Sequence, residues 1–557
     1  MSALGLVVSA TIATSSAAAE VHPTVTATAP SVVASAIDTL TELVRPRLSL
    51  EYRVRHQLMD PLSLSDTSAP LVSYFDQRLR VSADVGLGSK VRLRSTVDVL
   101  DGVLFGDNGS FVGTPRKNRG SIVSTRGPNL TKLSIGKLDP DGASLDRQNY
   151  GFVLADADLL TLRTLYGEVV LPFGILRAGR QPLATGRDVL VNDGSRSNRW
   201  GIAKSMDTAD GVSFGTKLSA IFDALSGRPI DPDQSRGLFL ALIVAEMYEG
   251  LPGVADDLMQ YAGSVWYLAK DERVLGFDVQ RLKATLTLSQ RLGDQFDTSV
   301  TTIAAGFDLE VGPLFLTAHH VQLFGGTREI SEGLAVLATS SGPPTRQPIE
   351  AFGGFAEIAY RFMDALSLSM ELYYATGDED PRSTTPITQF TFTEDTNVGL
   401  HLFENVVAYQ TARSAALGVA NLKAVRPPSY PVAEVDTRGG LQNAIVLFPQ
   451  VLSSPWPWLG LRGGVMFAFT AVPSVDPIGT LLRSDGKEIN DDKVNYAGGK
   501  PGSYWGTEID LGITLRPVDH CLFDLEAAYL MPGNALQNED GVAVNSFFLS
   551  GRLTLFL

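Results

Sequence analysis

Between Tyr74 and Leu100 the chain alternates apolar and polar residues along two consecutive arms. That alternation restricts the fold more than any other feature. On the first arm Leu79, Val81, Ala83, Val85 and Leu87 interleave with Arg78, Arg80, Ser82, Asp84 and Gly86. After Gly88-Ser89-Lys90, Val91, Leu93, Val97 and Val99 interleave with Arg92, Arg94, Thr96 and Asp98. A period of two places each set on its own face of an antiparallel hairpin. Two architectures accommodate such a hairpin. A soluble sandwich buries the apolar face and wets the other. A transmembrane barrel turns the apolar face to lipid and keeps a wet lumen.

The connections along the rest of the chain separate the two. Similar segments recur at Leu48–Leu58, Val212–Ala224, Arg281–Ser289, Leu366–Tyr373 and Asn545–Leu557, and eighteen strands can be placed, with sixteen the alternative count. Short turns and long connections then alternate. The long ones are 102–158, 182–210, 325–349, 377–440 and 472–502, and the connection after the ninth strand is the main exception. Short turns on one rim, long external loops on the other and an even strand number are what an outer-membrane barrel requires. A sandwich with crossing connections has no reason to keep that parity. The pattern therefore predicts an all-β, transmembrane, antiparallel up-and-down barrel over residues 46–557.

Composition adds limits. Charged residues make up 19%, below the roughly 25% of ordinary soluble domains. A net charge of −15 argues against nucleic acid as a partner, since a phosphate-binding surface is basic. The single cysteine, Cys521, allows no intrachain disulfide. Residues 1–19 resemble an export signal, with an apolar Leu4–Ala10 core and Ala17-Ala18-Ala19 before Glu20, although a basic n-region is missing. Residues 20–45 read as a flexible leader. No apolar run reaches the length of a spanning helix, so strands must do any crossing.

The last strand carries a resemblance. Leu549, Leu553, Leu555 and Leu557 share one phase, Ser550, Arg552 and Thr554 the other, and the chain stops on the strand. This resembles the terminal assembly strand of outer-membrane barrels, with Phe556 penultimate where the pattern ends in an aromatic. Over residues 46–557 the chain resembles large outer-membrane porins. The stretches LYGEVVLPFGILRAGRQPL (Leu165–Leu183) and LVNDG (Leu190–Gly194) are similar to those of alginate-export porins. The resemblance implies a passive channel and brings no substrate residue with it.

In such a barrel the inward charges set selectivity. The early strands offer Arg53, Arg55, Arg78, Arg80, Arg92, Arg94 and Arg177. The later ones offer Glu357, Glu371, Glu508, Asp510, Asp524 and Glu526. A basic wall facing an acidic wall would set a transverse field across the pore. Alternatively, neighbouring charges pair and only stabilise a wet interior. Loop 102–158 carries six cationic side chains, from Arg116 to Lys137, and either narrows the lumen or stands in solvent. The acidic groups Asp231/Asp233, Asp378-Glu379-Asp380 and Asp491-Asp492 lack the spacing of a calcium loop. His319 and His320 are adjacent on a strand and face opposite ways. No metal, cofactor or catalytic motif is expected.

The sequence thus points to a porin of the bacterial outer membrane that passes small hydrophilic solutes, with a preference for anions or acidic sugars. Its partners would be outer-membrane lipid, those solutes and the barrel-assembly machinery. A non-conducting surface anchor or adhesin and an outer-membrane hydrolase remain as alternatives.

Overall fold

The computed structural model describes residues 44–65, 72–104, 110–111, 152–153, 160–183, 189–192, 199–203, 206–247, 258–274, 276–337, 343–421, 435–483 and 493–557. Eighteen strands form one ring. They are β1 (Val44–Asp60), β2 (Val72–Leu87), β3 (Val91–Leu104), β4 (Leu160–Leu171), β5 (Gly174–Pro182) and β6 (Thr208–Lys217). Next come β7 (Gly237–Met247), β8 (Leu258–Val274), β9 (Phe277–Gly293), β10 (Thr298–Val311), β11 (Leu314–Thr327) and β12 (Gln347–Met363). The ring is completed by β13 (Leu366–Ala375), β14 (Ala444–Trp456), β15 (Leu459–Phe469), β16 (Tyr504–Val518), β17 (Cys521–Pro532) and β18 (Ser546–Phe556). A two-residue ladder, Ser110-Phe111 with Phe152-Val153, lies outside it.

Each strand pairs antiparallel with its chain neighbours, and β18 pairs back onto β1. Leu50 and Leu557 exchange both backbone hydrogen bonds at 2.8 Å, which seals the seam. Closure leaves no free sheet edge, which a lipid environment demands of strands. No helix among the described residues is long and apolar enough to cross a membrane.

The strands lean on the pleat that the sequence predicts. Val91, Leu93, Leu242, Leu286, Leu288, Ile358 and Leu511 stand exposed on the outside of the ring. Their phase partners point inward. One rim carries turns of two or three residues, such as 88–90, 172–173, 312–313, 457–458 and 519–520, with the connection 218–236 as its long exception, and the other rim carries the long loops. The connection 294–297 is the short exception on the loop rim, as expected.

One strand ends early. The expected sixth strand over Val212–Ala224 stops at Lys217, and Leu218–Leu225 forms helix α1. Leu218, Ile221, Phe222 and Leu225 also recur at helical spacing. A period of two and a period of 3.6 both fit this short run, and here the helical one prevails once β5 and β7 no longer extend beside it. Elsewhere strands run a few residues longer than predicted, since pairing continues past the apolar run.

Two bulges alter the alternation where it matters. Between β3 and β4 the register slips after Thr96↔Thr164, so Arg163 is left unpaired in the ladder. Between β15 and β16 it slips around Trp505, beside Gly506 at φ 147°. An extra residue re-aims the side chain next to it. Arg163 therefore reaches Asp98 at 2.6 Å, and Trp505 is fully buried with its Nε1 donating to the Asn443 carbonyl at 2.9 Å.

Candidate functional site

The inward phase carries all thirteen charged residues singled out above. Cross-strand register aligns Arg53 with Arg78, Arg80 with Asp98, Glu357 with Glu371 and Glu526 with Gly512. The basic side is β1 to β5. Arg55 binds Asp76 at 2.7 Å, Arg78 binds Glu51 at 2.6 Å, and Asp98 sits between Arg80 at 2.7 Å and Arg163 at 2.6 Å. These pairs are largely buried. In a low-dielectric site such pairs fix geometry more than they add stability.

Toward the turn rim the balance changes. Arg92, Arg94 and Arg177 converge on one carboxylate, Glu168, at 3.8, 3.5 and 3.0 Å. Asp84 adds a second partner for Arg94 at 3.5 Å. The three arginine side chains keep 41%, 32% and 32% of their surface exposed, whereas Glu168 keeps 3%. Excess positive charge therefore reaches the wet lumen here.

The acidic side is different from the expectation of an open wall. Asp510 and Glu508 are fully buried, and Glu371, Glu526 and Asp524 nearly so. Part of the cover comes from pairing along the ring. Arg462 binds Glu526 at 2.5 Å, and Arg552 binds Asp524 at 2.8 Å and Glu526 at 3.5 Å. The rest comes from two loops that the sequence places on the outer rim. Their described parts turn down into the ring.

The first is 183–207, between β5 and β6. Its Arg199 donates to Glu357 at 2.5 Å and to Glu371 at 2.8 Å. Trp200 stacks on Phe448 at 5.8 Å, lies under the Arg462 guanidinium at 5.4 Å and donates its Nε1 to Gln450 at 3.0 Å. The Gly201 amide donates to Glu526 at 3.0 Å. The second is 376–443, between β13 and β14. Glu508 accepts the amides of Leu400, His401 and Leu402 at 2.8, 2.9 and 2.5 Å. The two loops also bind each other, through Thr393 N to Val189 O at 2.7 Å and Asn397 Nδ2 to Trp200 O at 3.0 Å.

Behind the second turn a π-helical turn, Leu402–Val407, runs into helix α2, Ala408–Asn421 (a further helix, Glu329–Leu337, lies in the loop after β11). Ser414 of α2 donates to Asp476 at 2.5 Å, and Asp476 in turn accepts the amides of Ile478 and Gly479 at the start of helix α3, Pro477–Arg483. An acid capping a helix that opens on proline is a favourable start. Burial pushes the Asp476 carboxyl up to about 6 and His401 down to about 3.

A continuous apolar cluster joins plug to wall, including Phe355, Tyr373, Val446, Phe448, Met466, Leu530 and Phe548 from the strands and Trp200, Phe390, Phe392 and Phe403 from the loops. An open pore would have no use for those inward strand residues. They were a readable signal of the plug, since β12 to β18 carry apolar side chains in both phases. Arg163, Arg199, Arg462 and Arg552 complete the charge pattern and were not among the expected residues. Arg163 depends on a bulge and Arg199 on a loop, so alternation could not find them. Arg462 and Arg552 were readable from phase.

Trp200 holds the first loop by ring area and one hydrogen bond together. Trp200→Ala is expected to cost the docked loop about 3–5 kcal/mol. Limited proteolysis within 183–207 is expected to speed up strongly; an unchanged cleavage rate would show that Arg199 and the loop's backbone contacts seat it without the Trp200 ring.

Asp231 and Asp233 bind Lys217 and cap their own turn, and Asp380 pairs with Arg382. Asp491-Asp492, residues 1–43 and nearly all of loop 102–158 lie outside the described residues. No metal-binding group of three or more His, Cys, Asp or Glu occurs among the described residues. His401 Nε2 and Ser546 Oγ are 2.7 Å apart, but both side chains are fully buried.

No family model matches the chain, and no curated protein matches its sequence. Solved structures of similar shape do exist. Pseudomonas aeruginosa OccK9 (OpdG) is 12% identical, with a TM-score of 0.45 over 92% of this chain and 98% of that one. OccK2 (OpdF) from the same organism, solved in complex with glucuronate, is 11% identical with a TM-score of 0.44 over 92% and 96%. OpdK, solved with vanillate, is 10% identical with a TM-score of 0.43 over 92% and 98%.

Proposed function

We propose that the chain is a passive channel of the bacterial outer membrane that favours small hydrophilic anions. The observation that supports this most is the cluster of Arg92, Arg94 and Arg177 around Glu168. Glu168 and Asp84 together leave one of three guanidinium charges unbalanced, and the arginines reach water inside the ring. Fixed charge of one sign in a confined aqueous path raises the local concentration of the opposite ion. The outward apolar band suits lipid, and the closed strand ring suits insertion by the barrel-assembly machinery. The same arginines would extend the solutes to acidic sugars, whose carboxylates a guanidinium can bind.

The expected result in a planar bilayer is a single-channel current whose reversal potential in a KCl gradient reports chloride preference. Changing Arg92, Arg94 and Arg177 together to Gln is expected to lower the anion-to-cation ratio at least about threefold. A wild-type preference for potassium, or no change in the triple variant, would refute the anion reading. The inward plug favours a second reading, a non-conducting anchor. Absence of current from correctly inserted protein would support that reading instead.

A further inference from the structure

We propose that Glu508 is a latch. It acts as a positioning residue that holds the plug against the wall and thereby sets the bore of the channel. The inference rests on the channel reading for its second half only.

The geometry is unusual for a wall carboxylate. Both oxygens of Glu508 are used on backbone, not on a cation. Oε1 accepts the Leu400 and His401 amides at 2.8 and 2.9 Å, and Oε2 accepts Leu402 at 2.5 Å. The Leu402 amide opens the helical stretch that continues through Leu402–Val407 into Ala408–Asn421, and the Leu400 and His401 amides lead into it. The first amides of a helix lack partners within it and carry its positive end. A buried anion at that point satisfies the amides and the dipole together. The plug's longest regular element is thus tied, at its start, to one side chain of β16.

The approach is also exclusive. Gly399 adopts φ 75°, and a Cβ there would lie 2.8 Å from Glu508 Oε1, 3.1 Å from Met466 Cε and 3.2 Å from Asp510 Oδ2. Only glycine lets the turn come this near the wall, and only glycine takes that backbone conformation without strain. The other polar ties of this turn to the ring are the neutral pair His401 Nε2 with Ser546 Oγ at 2.7 Å and the buried Asp510 carboxylate, which also draws the Leu400 amide. The charged contacts to Glu357, Glu371 and Glu526 belong to the other loop. Removing Glu508 therefore takes away three of the turn's hydrogen bonds to the ring and leaves it these two ties.

A glutamine has nearly the same shape but one acceptor oxygen, and its amide donors would face the backbone amides. Glu508→Gln in the full chain is thus the direct test, read in two independent ways. Hydrogen exchange reports the latch: the amides of residues 400–402 are expected to lose about ten- to hundredfold protection, while Ser546→Ala changes them several-fold less. Single-channel conductance reports the bore: it is expected to rise about 1.5-fold or to flicker between levels. Gly399→Ala attacks the same contact from the loop and is expected to reproduce both effects. It also keeps the proposal testable if Glu508→Gln does not assemble. Unchanged protection at 400–402 in the assembled variants overturns the latch. Lost protection with unchanged conductance overturns its role in the bore. Lost protection in a protein whose wild type carries no current upholds the latch and rejects the channel reading instead.

Discussion

Replacing residues 376–443 by a two-residue Asn-Gly turn is expected to raise single-channel conductance about twofold or more, because an eighteen-stranded ring without its plug is wide enough for an aqueous path. The replacement is geometrically mild. Ala375 and Ala444 already face each other across β13 and β14, and Asn-Gly is the preferred two-residue hairpin turn. The ring's hydrogen bonds do not pass through the loop, so closure survives. Stability does not survive intact. Phe355, Tyr373, Val446, Phe448, Met466 and Phe548 lose cover from the plug, which at about 1.5–3 kcal/mol per side chain amounts to roughly 10 kcal/mol. Unfolding followed by gel mobility is expected to shift to markedly lower temperature. Unchanged conductance in the shortened protein would mean that solutes pass by another route and that the plug is structural only.

The second large effect is on pH, and its sign follows from two buried groups, His401 on the plug and Asp476 in the loop after β15 that Ser414 of the plug binds. Burial holds His401 down at about 3, so the folded state keeps it neutral. Its stabilisation is complete above the ordinary histidine value near 6.5 and is lost as pH falls toward 3, on the order of 4 kcal/mol in all. Burial pushes Asp476 up to about 6, despite its bonds to Ser414, Ile478 and Gly479 and the nearby Arg413. Its contribution is complete below the ordinary value near 4 and is lost as pH rises to about 6, on the order of 3 kcal/mol.

Between pH 4 and 6 the two slopes oppose each other, so each partly masks the other in the protection of the plug amides, corrected for the intrinsic exchange rate. Asp476→Asn removes one slope, and protection should then fall steadily from pH 6.5 downward. His401→Gln removes the other, and protection should then rise as pH is lowered from 6 to 4. If both variants keep the wild-type profile, the two groups do not open together with the plug.

Much of the architecture was legible in advance. The register of β2 and β3 and the sorting of Val91, Leu93, Leu286 and Leu288 to the outside follow from alternation, because a pleated strand has no freedom in which face a side chain takes. Legibility failed where a second constraint competed. The run after Val212 satisfied two periods, and the end of neighbouring strand pairing decided for helix α1. Arg163 and Trp505 turn inward because a single extra residue shifts the pleat.

The site shows the same division. Alternation put Glu508, Glu526 and Glu371 on the inner face, and a field across an open pore was one reading of them. Beside Arg462 and Arg552 of the ring, their partners are backbone amides and Arg199 from loops distant in sequence. Local sequence thus settled a closed ring of amphipathic strands, since a period of two sorts side chains between lipid and lumen wherever the ring runs. Only tertiary structure decided what fills that lumen, since a loop has no period that dictates its path, and its direction depends on which buried carboxylates and apolar walls it can satisfy.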